Sequence, residues 1–105
     1  MKQRTFAIDT PTKVGEMITV AGWVHSRRDH GGLIFIDLRD HTGLVQLVIN
    51  PEQAEAFRLA ESLRDEFVIR ASGVVTERGE GLKNPNIASG DVEIVVESLE
   101  TVSYT

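Results

Sequence analysis

GWVHSRRDHGGLIFIDLRDHTGLVQLVI, residues 22–49, is the stretch that decides the fold. Within it Ile34, Ile36 and Leu38 alternate with Phe35, Asp37 and Arg39, and Val45, Leu47 and Ile49 alternate with Leu44, Gln46 and Val48. A period of two marks strands that bury one face and leave the other to solvent. Gly31, Gly32 and Gly43 interrupt the runs where tight connections are needed, because glycine enters positive-φ turns without steric cost. Three consecutive antiparallel strands are therefore expected. On the face where polar residues belong stands a ring, Phe35, with Arg27 and Arg28 a few residues upstream. A ring among arginines is a stacking platform for flat anionic ligands, single-stranded nucleic acid foremost. An edge aromatic packed under a loop is the competing reading, and the residues alone leave both open.

Working outward, Ile18, Val20, Gly22 and Val24 share one face of a first strand over residues 17–27, with Thr19, Ala21, Trp23 and His25 on the other. Gly22 marks a bend in it. Residues 29–32 should close the first hairpin and residues 40–43 the second turn, between strands at 33–39 and 44–49. Thr10, Pro11 and Gly15 predict a turn or a single helical turn before the first strand. Downstream, Asn50, Pro51 and Gln53 read as a helix cap, a proline at the first helical position and a capping-box partner. Ala56, Phe57, Leu59, Ala60 and Leu63 then recur at helical spacing on one side, out to about Asp65. A fourth strand is expected over residues 67–78, broken by Gly73, and a fifth over 91–102 with Val92, Ile94 and Val96 facing in. The polar segment GEGLKNPNIASG, residues 79–90, connects them. Five strands with a helix between the third and fourth give an all-β fold, the Greek-key barrel of the oligonucleotide-binding (OB) type. Bends at Gly22 and Gly73 suit a small barrel, whose strands must coil to close.

A chain of 105 residues makes one domain, 1–105, with a core of its own. There is no cysteine, and the three histidines fall at no metal-ligand spacing. No segment approaches the roughly 20 apolar residues of a membrane span, and no leader is evident, so a cytoplasmic protein is expected. The net charge of −5 argues against indiscriminate nucleic-acid binding. Its distribution is uneven: six Lys and Arg face five acids over residues 1–50, five face seven over 51–90, and four acids stand alone over 91–105. A nucleic-acid site would be local and base-reading.

GWVHSRRDHGGLIFIDLRDHTGLVQLVI, followed by NPEQAEAFRLAESLRDEFVIRASGVV and NPNIASGDVEI, closely resembles the N-terminal anticodon-binding domain of bacterial aspartyl-tRNA synthetase. The Trp-Val-x-x-Arg-Arg-Asp start, the Phe-Ile-Asp-Leu-Arg-Asp strand and the Gly-Asp-x-Glu segment fall in family order, and only TVSYT at the end is unfamiliar. The resemblance implies a barrel that grips the tRNA anticodon loop and splays its bases. Phe35 would stack on the middle base, a uridine, and Gln46 would bond its edge. Arg28 would contact the third base, a cytosine, and Glu93 would accept from the first, a guanine. Arg78 and Asn84 would make further contacts to that first base or its backbone. The resemblance also implies a parent aspartate-tRNA ligase that uses ATP and magnesium in a separate catalytic domain, pairs as a homodimer through that domain, and is not represented catalytically in these residues. His30 and Gly81 match the members that charge both aspartate and asparagine tRNAs, where aspartate-restricted ones carry leucine and a bulkier or charged residue.

Arg27 and Arg28 could be a solvated hairpin end. Asp29, Asp37, Arg39 and Asp40 are expected to pair with one another across strands. Trp23 is expected to pack, and His25, His30 and His41 to lie in loops or on the surface, His30 alone with a functional reading beside that one. A general single-strand binder would need a more basic groove, and a protein-interaction barrel a contiguous apolar patch. An anticodon domain of the related asparaginyl or lysyl synthetases is a further alternative, though their second strand and NPN loop differ from this sequence.

Overall fold

A computed structural model describes residues 4–79 and 81–102. Strands β1 (Met17–His30), β2 (Leu33–Asp40), β3 (Gly43–Ile49), β4 (Val68–Glu77) and β5 (Val92–Thr101) close in the order β1-β2-β3-β5-β4. Helix α1 (Ala54–Ser62) lies between β3 and β4, and a 3-10 helix (Ala7–Lys13) precedes β1. All ladders are antiparallel except β3 with β5, which run parallel through Gln46↔Glu93, Leu47↔Ile94 and Val48↔Val95.

Strand β1 serves two neighbours: its first half pairs with β4 and its second with β2, and Trp23 is shared, opposite both Val68 and Arg39. A strand that changes partners must coil sharply, and Gly22 sits at the changeover. Any Cβ there would collide with the Arg39 carbonyl. The inward sets predicted by alternation fill the barrel: Ile36, Leu38, Leu47, Ile49, Ile69 and Ile94 are fully buried, joined by Val20, Val24, Val75 and Val96. Helix α1 covers one end with Ala56 and Ala60, small residues that let its backbone approach the core, and Leu63, just past its last residue, packs beside them.

The 3-10 helix is fastened by Asp40. Its buried carboxylate accepts from the Ala7 backbone N–H at 2.8 Å, from the Thr42 backbone N–H at 2.8 Å and from the Thr42 hydroxyl at 2.6 Å. Burial by itself raises the pKa of Asp40, but these bonds, with one from Gly43, outweigh it and hold the carboxyl below its ordinary value.

Two boundaries and one register depart from the sequence expectation in ways that matter for the outer face. The first hairpin turn is only Gly31-Gly32, both at positive φ, so Asp29 and His30 remain in the ladder opposite Ile34 and Leu33. Helix α1 starts at Ala54 because Asn50 forms a turn instead of a cap: its Oδ1 accepts from the Glu52 N–H and its carbonyl from the Gln53 N–H. The β1–β2 register also shifts between Val24 and Ser26, leaving His25 as an unpaired bulge.

Candidate nucleic-acid interface

That bulge determines what the outer surface presents. Unbroken alternation from Ile18, Val20 and Val24 would carry Ser26 and Arg28 onto the inner face. One extra residue at His25 exchanges the faces, so Ser26 stands opposite Asp37 and Arg28 opposite Phe35, both on the outside. Arg27, now opposite inward-facing Ile36, reaches the C-terminal end of α1 and donates to the carbonyls of Ala60 (3.3 Å) and Glu61 (3.0 Å). Both carbonyls belong to the last turn of the helix, where a cation is favoured, and that of Ala60 also accepts the Leu63 N–H.

Two rows of side chains cross the outer face. Arg28, Phe35, Val48, Val95 and Val74 stand opposite one another on β1, β2, β3, β5 and β4, and Ser26, Asp37, Gln46, Glu93 and Thr76 form the next row. The first is an arginine followed by an apolar strip; the second is polar throughout. Phe35 is half-buried and lines an open cleft of about 350 Å³ with Arg28, Asp29 and His30.

The polar row is joined by hydrogen bonds. Arg28 Nη1 donates to Asp37 Oδ2 at 2.7 Å, and Arg28 Nη2 donates to Gln46 Oε1 at 3.0 Å. Gln46 Nε2 then donates to Glu93 Oε1 at 2.9 Å, while the Ser26 hydroxyl donates to Asp37 Oδ2 at 2.8 Å. These partners fix the orientation of the Gln46 amide, oxygen toward Arg28 and nitrogen toward Glu93. Each member also keeps spare capacity. Arg28 has five N–H groups, the Gln46 amide has a second hydrogen and a second lone pair, and Glu93 has a second oxygen. Across the sheet the outer face thus carries donors at Arg28, both functions at Gln46, which is only 8% exposed, and acceptors at Glu93.

Other expected site residues occupy the connection between β4 and β5. Arg78 is buried, its Nε donating to the Val92 carbonyl at 3.0 Å and its Nη1 to that of Leu82 at 3.4 Å. It braces the loop from beneath. Asn84 accepts from the Asn86 N–H through Oδ1, and its backbone N–H donates to the Gly90 carbonyl, an approach so close that no side chain fits at Gly90. Ser89 donates to the Leu44 carbonyl and ties the loop to the start of β3. Gly81, at φ 81°, lies on the same loop, whereas His30 lies with Arg28 and Phe35. The expected pairing among Asp29, Asp37, Arg39 and Asp40 is corrected: Asp37 pairs with Arg28, Asp29 with Arg27 at 3.8 Å, and Asp40 with backbone and Thr42. Sequence reasoning missed that Asp37 and Ser26 join this hydrogen-bonded row. Their shared face with Phe35 was legible for Asp37 but not for Ser26, which the bulge turns outward. Trp23 is partly exposed instead of packed away.

The family model described as an OB-fold nucleic acid binding domain matches residues 18–102. An aspartate–tRNA(Asp/Asn) ligase of Chlorobium phaeobacteroides is 62% identical over 86 residues, which cover 82% of this chain and 14% of that protein. Its counterpart in Sulfurovum is 60% identical over 87 residues, covering 82% of this chain and 15% of that protein. The chain therefore spans only a small part of the relatives it matches. Among solved structures, the asparaginyl-tRNA synthetase from Pyrococcus horikoshii superposes with a TM-score of 0.81 at 28% identity, covering all of this chain and 23% of that one. The OBody AM2EP06, bound to hen egg-white lysozyme, superposes equally well (TM-score 0.81) at 20% identity over 97% of its length, a likeness of fold alone.

Proposed function

We propose that this chain, which belongs to the family of OB-fold nucleic acid binding domains, reads the anticodon loop of tRNA for an aspartate–tRNA ligase. The observation that carries the proposal is the order of hydrogen-bonding character along the bonded chain by which Arg28, from the neighbouring row, joins the polar one: donor at Arg28, mixed at Gln46, acceptor at Glu93. Cytosine offers acceptors on its N3 and O2 edge, uridine one donor beside acceptors, and guanine adjacent donors at N1 and N2. A strand laid from Glu93 to Arg28 with the sequence guanine, uridine, cytosine meets a complementary group at each step. The uridine ring would lie on Phe35, beside the apolar strip of Val48 and Val95.

Arg78 supports this surface by holding the 79–91 loop at the Glu93 end, where Asn84 is placed to meet the first base or its phosphate. His30, beside Arg28, leaves the surroundings of the third base permissive, whereas Gly81 lies on the loop at the Glu93 end and leaves that loop free to adjust; the two bacterial relatives bear names that include both tRNA(Asp) and tRNA(Asn). Aspartate activation, with its ATP and magnesium and the homodimer that performs it, falls to the remainder of a longer protein. No helix among the described residues is long and apolar enough to cross a membrane.

Titration of anticodon stem-loops altered at one base tests the assignment. Arg28→Ala, Gln46→Ala and Glu93→Ala should each relax discrimination at a different base, the third, middle and first respectively, by about 1–3 kcal/mol. Uniform weakening on every loop by all three variants would overturn it.

A further inference from the structure

We propose that Asp37 is a positioning residue that makes Arg28 a reader of bases instead of a binder of phosphates. The inference rests on the anticodon reading above and deepens it. An arginine on a solvent-facing strand ordinarily pairs with whatever phosphate is near, because the guanidinium is always charged and phosphates are the strongest acceptors on a nucleic acid. Phosphate contacts carry no sequence information. For Arg28 to select a base, two things must be arranged: its long side chain must be held in one geometry, and its charge must be partly satisfied before RNA arrives.

Asp37 does both. Its Oδ2 lies 2.7 Å from Arg28 Nη1 and is itself held by the Ser26 hydroxyl at 2.8 Å. The carboxylate is mostly covered, 21% exposed, whereas the Arg28 side chain is 49% exposed. The anion therefore sits beneath and the guanidinium above it, facing the Phe35 cleft. With Gln46 Oε1 engaging Nη2, two guanidinium nitrogens are fixed from the protein side, and the outward N–H groups keep a set direction. Ordering of the side chain is completed in the free protein, which lowers the cost of binding. The neutralised pair also attracts a phosphate less than a free arginine would.

The consequence differs from that of an ordinary supporting residue. Asp37→Asn keeps the shape and an oxygen acceptor but removes the charge, so Arg28 becomes a freer cation. Discrimination at the base that Arg28→Ala relaxes should fall about fivefold or more, the low end of one edge contact. Binding to loops with the wrong base there should hold or strengthen. The plot of log K against log salt should steepen by about 0.7, as for one more phosphate on a single strand.

The experiment titrates the 105-residue chain, as wild type, Asp37→Asn, Asp37→Ala, Arg28→Ala and the Arg28→Ala/Asp37→Ala double variant, against stem-loops changed singly at each anticodon position, at several salt concentrations. Support is loss of discrimination in Asp37→Asn at the Arg28 position only, a steeper salt slope, and no further loss in the double variant over Arg28→Ala. Unchanged selectivity in Asp37→Asn, or equal weakening on all loops with an unchanged slope, overturns the role of Asp37 while leaving the anticodon reading intact. A wild-type chain indifferent to all three bases overturns both. Thermal melts of the same proteins should coincide within a few degrees, since the pair lies on the barrel exterior; a large drop in Asp37→Asn alone would identify a structural role and overturn the proposal.

Discussion

Phe35 shows how much one side chain's environment decides. It stands on the outer face beside Arg28 and Val48, so its truncation removes a stacking surface and leaves the core filled. Phe35→Ala should weaken binding of the anticodon stem-loop by about 1–3 kcal/mol with little change in thermal stability. A buried ring would instead cost roughly 3–5 kcal/mol of folding free energy, and melts beside titrations separate the two. Alternation alone placed Phe35, Gln46 and Glu93 on one surface, because the extra residues fall elsewhere: His25 is on β1, and the β4–β5 register shift lies beyond Val96. It could not show that they would be joined, since Gln46 and Glu93 meet only through a pairing between residues far apart in sequence. Nor does a charge pattern reveal partners: Arg39, Asp37 and Asp40 look alike in sequence, yet one is exposed, one sits beneath an arginine and one is buried under a 3-10 helix.

At the scale of elements, the bulge at His25 gives adjacent arginines opposite tasks. Arg27→Ala should lower stability by about 1 kcal/mol, through lost bonds to the end of α1, and speed amide exchange in the last turn of that helix. Its discrimination among anticodon loops should stay at the wild-type level. Arg28→Ala should do the reverse. Hydrogen exchange of both variants, read with the binding titrations, checks the pair. The strands themselves were legible because period-two burial depends only on local sequence. A bulge is not, since it arises where a strand between two neighbours must relieve its twist, and nothing about His25 as a residue announces it. The start of α1 was misplaced for a similar reason. Asn50, Pro51 and Gln53 fit a cap equally well as a turn, and the choice goes to the turn that carries the chain away from β3.

For the whole molecule, Asp40 couples the N-terminal segment to the barrel in a pH-dependent way. Its folded pKa lies below the unfolded value, so its stabilisation is complete above about pH 4 and is lost as the pH falls through the folded pKa. Asp40→Asn should be less stable than wild type by about 1–2 kcal/mol at pH 7, and the difference should close in the acid range. Denaturant titrations of both proteins at pH 7 and in steps below pH 4 follow it. The barrel as a closed object was readable from the order of its strands, whereas this fastening depends on a fold-back of the N-terminal segment onto Asp40 that no local pattern encodes. The parallel pairing of β3 with β5 has a kinetic meaning as well. It is the seam that shuts the cylinder and joins the middle of the chain to its last strand, so in folding it carries a large loop-closure cost. Gln46 and Glu93 sit on opposite sides of that seam. The reading surface therefore comes into existence only when the last gap closes, and an RNA strand laid across it would act as a clasp, binding the shut barrel alone and slowing its opening.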